Sequence, residues 1–241
     1  MNKRYGYILI IYIVMQLSTS IAVPLIYKLG LNSFGVEDKE KMLYLAAGYW
    51  LFISFTLTLI IVLFLLRKSE RYEDFGQQHS IPLSISWGVG GIFLAFLAQA
   101  LAITVESFLG IEPGSENTAT AMKIISLVPI ALIASSVAGP ILEEIVFRQI
   151  LFGALYKRMP FLAAGFLSSL LFGLAHRELS HILLYTTMGF TFAFLYVHTK
   201  RIIVPIIAHV GMNTLVALIQ FYPAIMKKVS AQVALFIHWI G

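Results

Sequence analysis

The chain has 241 residues, 59% of them hydrophobic and only 12% charged, against the roughly 25% charged residues of a soluble domain, which excludes an ordinary soluble fold. Its net charge of +5 comes from 17 Lys and Arg residues that stand singly or in pairs at the ends of apolar runs, a topology pattern and not a nucleic-acid surface. With no cysteine, Cys nucleophiles, disulfides, thiolate metal sites and lipidation on Cys are also excluded.

A bilayer core of about 30 Å is crossed by about 20 apolar residues in a helix. Such runs lie at 5–29, 43–66, 82–106, 121–157, 160–177, 179–199, 202–222 and 223–240. They predict an all-α, polytopic transmembrane bundle of seven or eight helices in one integral membrane domain, 1–241. The first run is longer than a signal-peptide core and has no small-residue cleavage site after it, so it reads as a retained anchor. It opens a block of N-terminal transmembrane helices over 1–106. Lys3-Arg4, Arg67-Lys68 with Arg71, Lys157-Arg158 and Lys200-Arg201 fall on one side if the spans alternate. The positive-inside rule makes that side cytoplasmic, with the N-terminus, in a multi-pass cell-membrane protein. The stretch 106–118, on the opposite side, holds Glu106, Glu112 and Glu116 and no basic residue. Lys227-Lys228 does not fit the alternation and leaves open whether 223–240 spans.

The fourth run is too long for one crossing, and Gly139-Pro140 interrupts its helical hydrogen bonds, which predicts a break or kink there. Beyond it come charges that an apolar helix should lack. Asp38 and Asp74 lie outside the runs; Glu143 and Glu144 lie deep, as does Arg148. A charge at the bilayer centre costs roughly 2.5–3.5 kcal/mol on insertion scales, so a cluster of three implies function. Glu144 and Arg148, four apart, share a helix face, and Glu143 is turned about 100° from its neighbour. Glu144 is therefore expected to pair with Arg148 and Glu143 to be free for chemistry. A purely structural ion network is the competing reading.

In the fifth run, FGLAH sets Phe172 one turn before His176 on the same face. In the seventh, HVGMN sets His209 and Asn213 four apart, with Gly211 between them to admit a neighbouring helix closely. His181, His198 and His238, near span ends, read as packing residues. At about 1.5 Å per residue from the basic ends, Glu143 lies about 21 Å deep, His176 about 24 Å and Asn213 about 18 Å, so the three can meet at one level. His209, at about 12 Å, points to a buried polar cavity open to the cytoplasm.

EEIVFR (143–148), FGLAH (172–176) and HVGMN (209–213) resemble, in order, spacing and helix context, the three motifs of the CAAX protease and bacteriocin-processing family. The resemblance covers about 120–222, which becomes the expected catalytic core. It implies an intramembrane endopeptidase acting on a membrane-associated peptide or protein among membrane lipids, with Glu143 matching the family's catalytic glutamate. In that mechanism Glu143 and His176 hold and deprotonate a water while His209 and Asn213 donate hydrogen bonds to the oxyanion. Glu144, Arg148 and Phe172 are expected to orient these groups. No cofactor is expected, since the HExxH spacing is missing; zinc on Glu143, His176 and His209 is the alternative. An aspartyl mechanism lacks its two membrane Asp residues, and Ser168-Ser169 lacks a surrounding Gly-x-Ser-x-Gly. The rival functions are a non-catalytic membrane scaffold or regulator that keeps the fold, and a proton carrier, for which no repeat symmetry is visible.

Overall fold

The computed structural model of the chain describes residues 3–34, 38–67 and 78–240, without the side chains of 32–34, 222 and 224–240. Lys68, Arg71 and Asp74 fall outside the described residues, as do the side chains of Lys227, Lys228 and His238. The described secondary structure is helical throughout. Three long helices come first: α1 (Lys3–Phe34), α2 (Lys39–Arg67) and α3 (Ile81–Phe108). A shorter α4 (Glu116–Leu127) follows, and after it a rod in which α5 (Ala131–Ile133), α6 (Gly139–Glu143) and α7 (Gly153–Tyr156) alternate with π-helical segments at Ala134–Ala138 and Glu144–Phe152. The chain ends with α8 (Phe161–Ala175), a 3-10 turn (Leu179–His181), α9 (Ile182–Thr199) and α10 (Ile203–Ile240). Among the described residues five stretches are long and apolar enough to cross a membrane: within α1, α2 and α3, over Leu179–Thr199 and over Ile203–Phe221. This is a polytopic all-α membrane protein.

The long fourth run breaks, but not at Gly139-Pro140. The break falls at Val128-Pro129, where Val128 leaves the helix at φ −130°, ψ 78°. A proline ring clashes with the N–H and Cβ of the residue before it and drives that residue out of the α region. Val128 yields here, whereas Gly139 stays helical at φ −57°, ψ −61°, and the same Val-Pro pair at Val23-Pro24 lies within the unbroken α1. Around the second proline the rod widens into π turns, which absorb the donor that Pro140 lacks. The last two apolar runs likewise differ from expectation, since 202–222 and 223–240 lie in one helix, α10, with Pro223 inside it.

Small residues set the helix spacing, as close packing in lipid requires. Gly211 of α10 lies against Ile92 of α3, and a Cβ there would collide with that side chain. Gly189 of α9 faces Ser169 of α8, where an added Cβ would come within 3.0 Å of the serine Cβ and 3.1 Å of its Cα. One core results. Tyr5, Ile8, Tyr12 and Met15 of α1 pack with Leu142, Ile145, Val146, Phe172, Phe192 and Met212. The bundle has two distinct ends. His79 binds the carbonyl of Thr199 through its N–H at 3.2 Å, joining the start of α3 to the α9–α10 turn that carries Lys200-Arg201. At the other end Glu106 of α3 meets His181 at 2.7 Å, and Ser115 meets Glu178 at 2.7 Å.

Candidate active site

The rod, α8 and α10 bring the three motifs together. Glu144, with no exposed surface, forms an ion pair with Arg148 (Oε2 to Nε, 3.2 Å) and accepts a hydrogen bond from His209 Nδ1 at 2.8 Å. The Arg148 guanidinium donates to the carbonyl of Gly189 at 3.3 Å and lies 4.3 Å from the ring centre of Phe172 and 5.5 Å from that of Phe192. Aromatic faces attract a desolvated cation by about 2 kcal/mol or more, which partly offsets its burial. His209 stacks on Phe192 with ring centres 4.6 Å apart and planes 20° apart. Its Nδ1 being committed to Glu144, its Nε2 points towards Glu143, 3.7 Å from Oε2. Glu143 accepts no protein hydrogen bond among the described residues, and its side chain is 17% exposed.

His176 sits where α8 stops. At 15 residues α8 is about 22 Å long, short of a bilayer core. Its end leaves backbone groups unpaired where water is scarce, and these must find protein partners. Arg177 closes the helix with φ 57°, a left-handed closing residue. The carbonyl of His176 accepts from Asn117 Nδ2 at 2.8 Å. The ring is fixed as well: Nδ1 donates to the carbonyl of Phe172 at 2.8 Å, and Tyr185 stacks on it with ring centres 4.0 Å apart. A ring whose Nδ1 carries the proton presents Nε2 as an acceptor.

Two cavities meet at His176 and Asn117, which line both. The larger, about 360 Å³, also touches Phe172, His209 and Asn213. The smaller, about 160 Å³, is lined by Glu143 with Tyr12, Gln16, Phe147 and Ala175. The lining of the larger one reaches Gly114, Ser115 and Thr118, at the end of the bundle away from Lys157-Arg158 and Lys200-Arg201. α8 ends on that side, which is why its histidine faces that end.

Sequence reasoning missed several polar residues here. Glu106, expected in a polar stretch outside the spans, is 2% exposed, and His181, read as packing, donates to it at 2.7 Å. The backbone N–H of Leu184 adds a second bond to Glu106 at 2.9 Å. These partners are 75 residues apart, and no local spacing announces them. Tyr12, Gln16, Asn117 and Tyr185 were hidden in the same way. Among the described residues no three His, Asp or Glu side chains gather as a metal's ligands would.

Comparison with known proteins accords with this geometry. Residues 125–215 match the family model described as type II CAAX prenyl endopeptidase Rce1-like. The chain is 47% identical over 242 residues, 98% of both chains, to "Putative membrane peptidase YdiL" of Bacillus subtilis (strain 168). The chain belongs to the Rce1-like family of membrane proteases. A second relative in this family, "Membrane-embedded CAAX protease MroQ" of Staphylococcus aureus (strain USA300), is 30% identical over 239 residues, 95% of this chain and 96% of its own. No solved structure gives a significant match. The match to the Rce1-like model contains all three motifs and leaves α1, α2, α3 and most of α4 outside it.

Glu178 closes the wall of this site at the membrane edge. It accepts from Ser115 Oγ at 2.7 Å, from the N–H of Glu116 at 2.6 Å and from Tyr185 Oη at 2.8 Å. Partial burial alone would raise its carboxyl, but those three bonds outweigh burial and hold it below the ordinary carboxylate range. A depressed folded pKa contributes stability that is fully present above the unfolded value, about 4.3, and is lost as pH falls through the folded one. Thermal stability in detergent should therefore fall as pH drops below about 4.3, and Glu178→Gln should lower stability at neutral pH and remove that part of the slope. An unchanged pH slope in Glu178→Gln would contradict the assignment.

Proposed function

We propose that this chain is an intramembrane endopeptidase that cleaves membrane-associated proteins or peptides with a water activated by Glu143. The observation that carries this is the division of labour between the two cavities. Glu143 and His176 both line the smaller one, while His176, His209 and Asn213 border the larger, which has room for a peptide carbonyl. In the reaction the water oxygen bonds to the scissile carbonyl carbon as its proton passes to the Glu143 carboxylate. Asn213 donates to the resulting oxyanion through its amide, and His209, as an imidazolium between the Glu144 and Glu143 carboxylates, donates through Nε2. The tetrahedral carbon then expels the amine, which takes the proton back from Glu143 as the C–N bond breaks. Arg148 and Glu144 carry no proton in this scheme and hold His209 in place.

Membership in a CAAX prenyl endopeptidase-like family supports CAAX-type processing; peptide pheromones or bacteriocin-related peptides are the other substrates we consider. No cofactor takes part in this mechanism. Lys3-Arg4 and the other basic pairs support an N-terminus in the cytoplasm, and in that orientation the larger cavity opens towards the opposite face.

Glu143→Gln, inserted and present at wild-type abundance, should abolish cleavage, with a loss of at least about 100-fold to 10,000-fold. Asn213→Ala should lower kcat by about 100-fold to 1,000-fold. Mass spectrometry of membrane peptides from cells carrying each variant reads both; unchanged peptide patterns in Glu143→Gln would refute the protease reading in favour of a scaffold. Purified enzyme should keep its activity in a zinc chelator, and an activity lost to chelation and restored by zinc would establish the metal mechanism instead. The natural absence of cysteine makes topology directly measurable. Single cysteines at Lys157 and Glu112 should react with an impermeant maleimide from opposite sides of intact cells, Glu112→Cys alone from outside. The reverse pattern would overturn the orientation.

A further inference from the structure

α1 lies outside the residues that match the family model, yet it packs against the charged rod. Its buried residues Tyr5, Ile8, Tyr12 and Met15 recur at the three-and-four spacing of one helix face and join the core around Leu142 and Val146. Tyr5 Oη accepts a hydrogen bond from Gln149 at 3.4 Å. Tyr12 is 5% exposed and sets its ring edge-on against Phe147 at 6.1 Å and 90°. A phenylalanine would make the same ring contact without bringing a hydroxyl into an apolar core, where an unsatisfied polar group costs about 1–3 kcal/mol in proteins. The hydroxyl therefore needs a use.

Its hydrogen bonds show where that use lies. Gln16, one turn further on, donates through Nε2 to the Tyr12 oxygen at 3.1 Å. That fixes the phenol and leaves its own O–H to donate, with no protein acceptor for it among the described residues. Tyr12 and Gln16 both line the 160 Å³ cavity that holds Glu143 and His176. At roughly 30 Å³ each, several waters fit there. Glu143 is an acceptor without a protein donor, and His176 presents Nε2 because its Nδ1 is spent on Phe172.

We infer that Tyr12 is a catalytic residue of this site, its O–H donating to the attacking water, and that Gln16 is the positioning residue that aims it. The inference rests on the protease reading above. A water that donates one hydrogen to Glu143 and the other to His176 Nε2, and accepts from Tyr12, has a single lone pair left. That pair is the one that bonds to the scissile carbonyl carbon. The proton path is unchanged: Glu143 takes the proton and returns it to the leaving amine, while Tyr12 keeps its own. The first helix, which carries no family motif, thus supplies the third contact that orients the nucleophile.

The test compares wild type, Tyr12→Phe, Gln16→Leu and Glu143→Gln as full-length proteins in detergent. The substrate probe is an internally quenched peptide spanning a cut made by wild type and not by Glu143→Gln. A hydrogen bond to the reacting group is worth about 10-fold to 100-fold in rate, so Tyr12→Phe should lower kcat by that factor with KM unchanged, and Gln16→Leu should give a smaller loss of the same kind. Infrared difference spectra give a second measure, with the Glu143 carboxyl band isolated as wild type minus Glu143→Gln; Tyr12→Phe and Gln16→Leu should both move it. Wild-type kcat in Tyr12→Phe, or a band that neither variant moves, overturns the inference. Should wild type cleave no peptide, the protease reading fails by itself, and the band alone decides whether Tyr12 shares hydrogen-bonded water with Glu143.

Discussion

The arrangement depends on one buried carboxylate. Glu144 has no exposed surface and is held between the Arg148 guanidinium at 3.2 Å and His209 Nδ1 at 2.8 Å. Taking such charges out of water costs several kcal/mol per ion, which their mutual attraction repays only with good geometry and further bonds. Here those further contacts are the Gly189 carbonyl and the faces of Phe172 and Phe192. Because Arg148 shares its helix with Glu144 while His209 stands on α10 and Gly189 on α9, the pair ties three helical elements together. Glu143, one residue earlier, faces the other ring nitrogen of His209 at 3.7 Å and keeps a carboxylate that accepts no protein hydrogen bond among the described residues. The economy is physical: one glutamate is neutralised so that its neighbour need not be.

The second constraint is backbone left unpaired in lipid. α8 stops at Ala175, and the freed carbonyl of His176 is taken by Asn117 from α4. Irregular backbone at membrane depth persists only where protein or a water-filled cavity satisfies it. The same helix end thus aims the histidine, creates the space beside it and calls for the α4 wall that Glu178 secures through Ser115 and Tyr185.

Much of the fold and of the charged cluster was legible in the sequence because lipid makes errors expensive. Apolar runs gave the helices, and the i, i+4 spacing of Glu144 with Arg148 gave their ion pair. Gly211 announced a close neighbour, which is α3. Where two local rules met, the reading failed: both Val128-Pro129 and Gly139-Pro140 carry a proline, and neither dipeptide announces the break by itself, since Val23-Pro24 repeats the first one inside an unbroken α1. Contacts between distant segments were invisible. Nothing near Glu106 foretells His181, and Tyr12 in an apolar helix looks like any tyrosine of a membrane belt until Glu143 is placed beside it.

The account stands most directly on the coupling between Glu144 and Arg148, which a double-mutant cycle on unfolding in detergent measures. Arg148→Met and Glu144→Gln should each cost about 3–5 kcal/mol, since either leaves a buried charge without its partner. The double variant should cost less than their sum by about 0.5–3 kcal/mol. Additive losses would mean that the two side chains do not meet in the folded protein, and the site built around them would fall with that result.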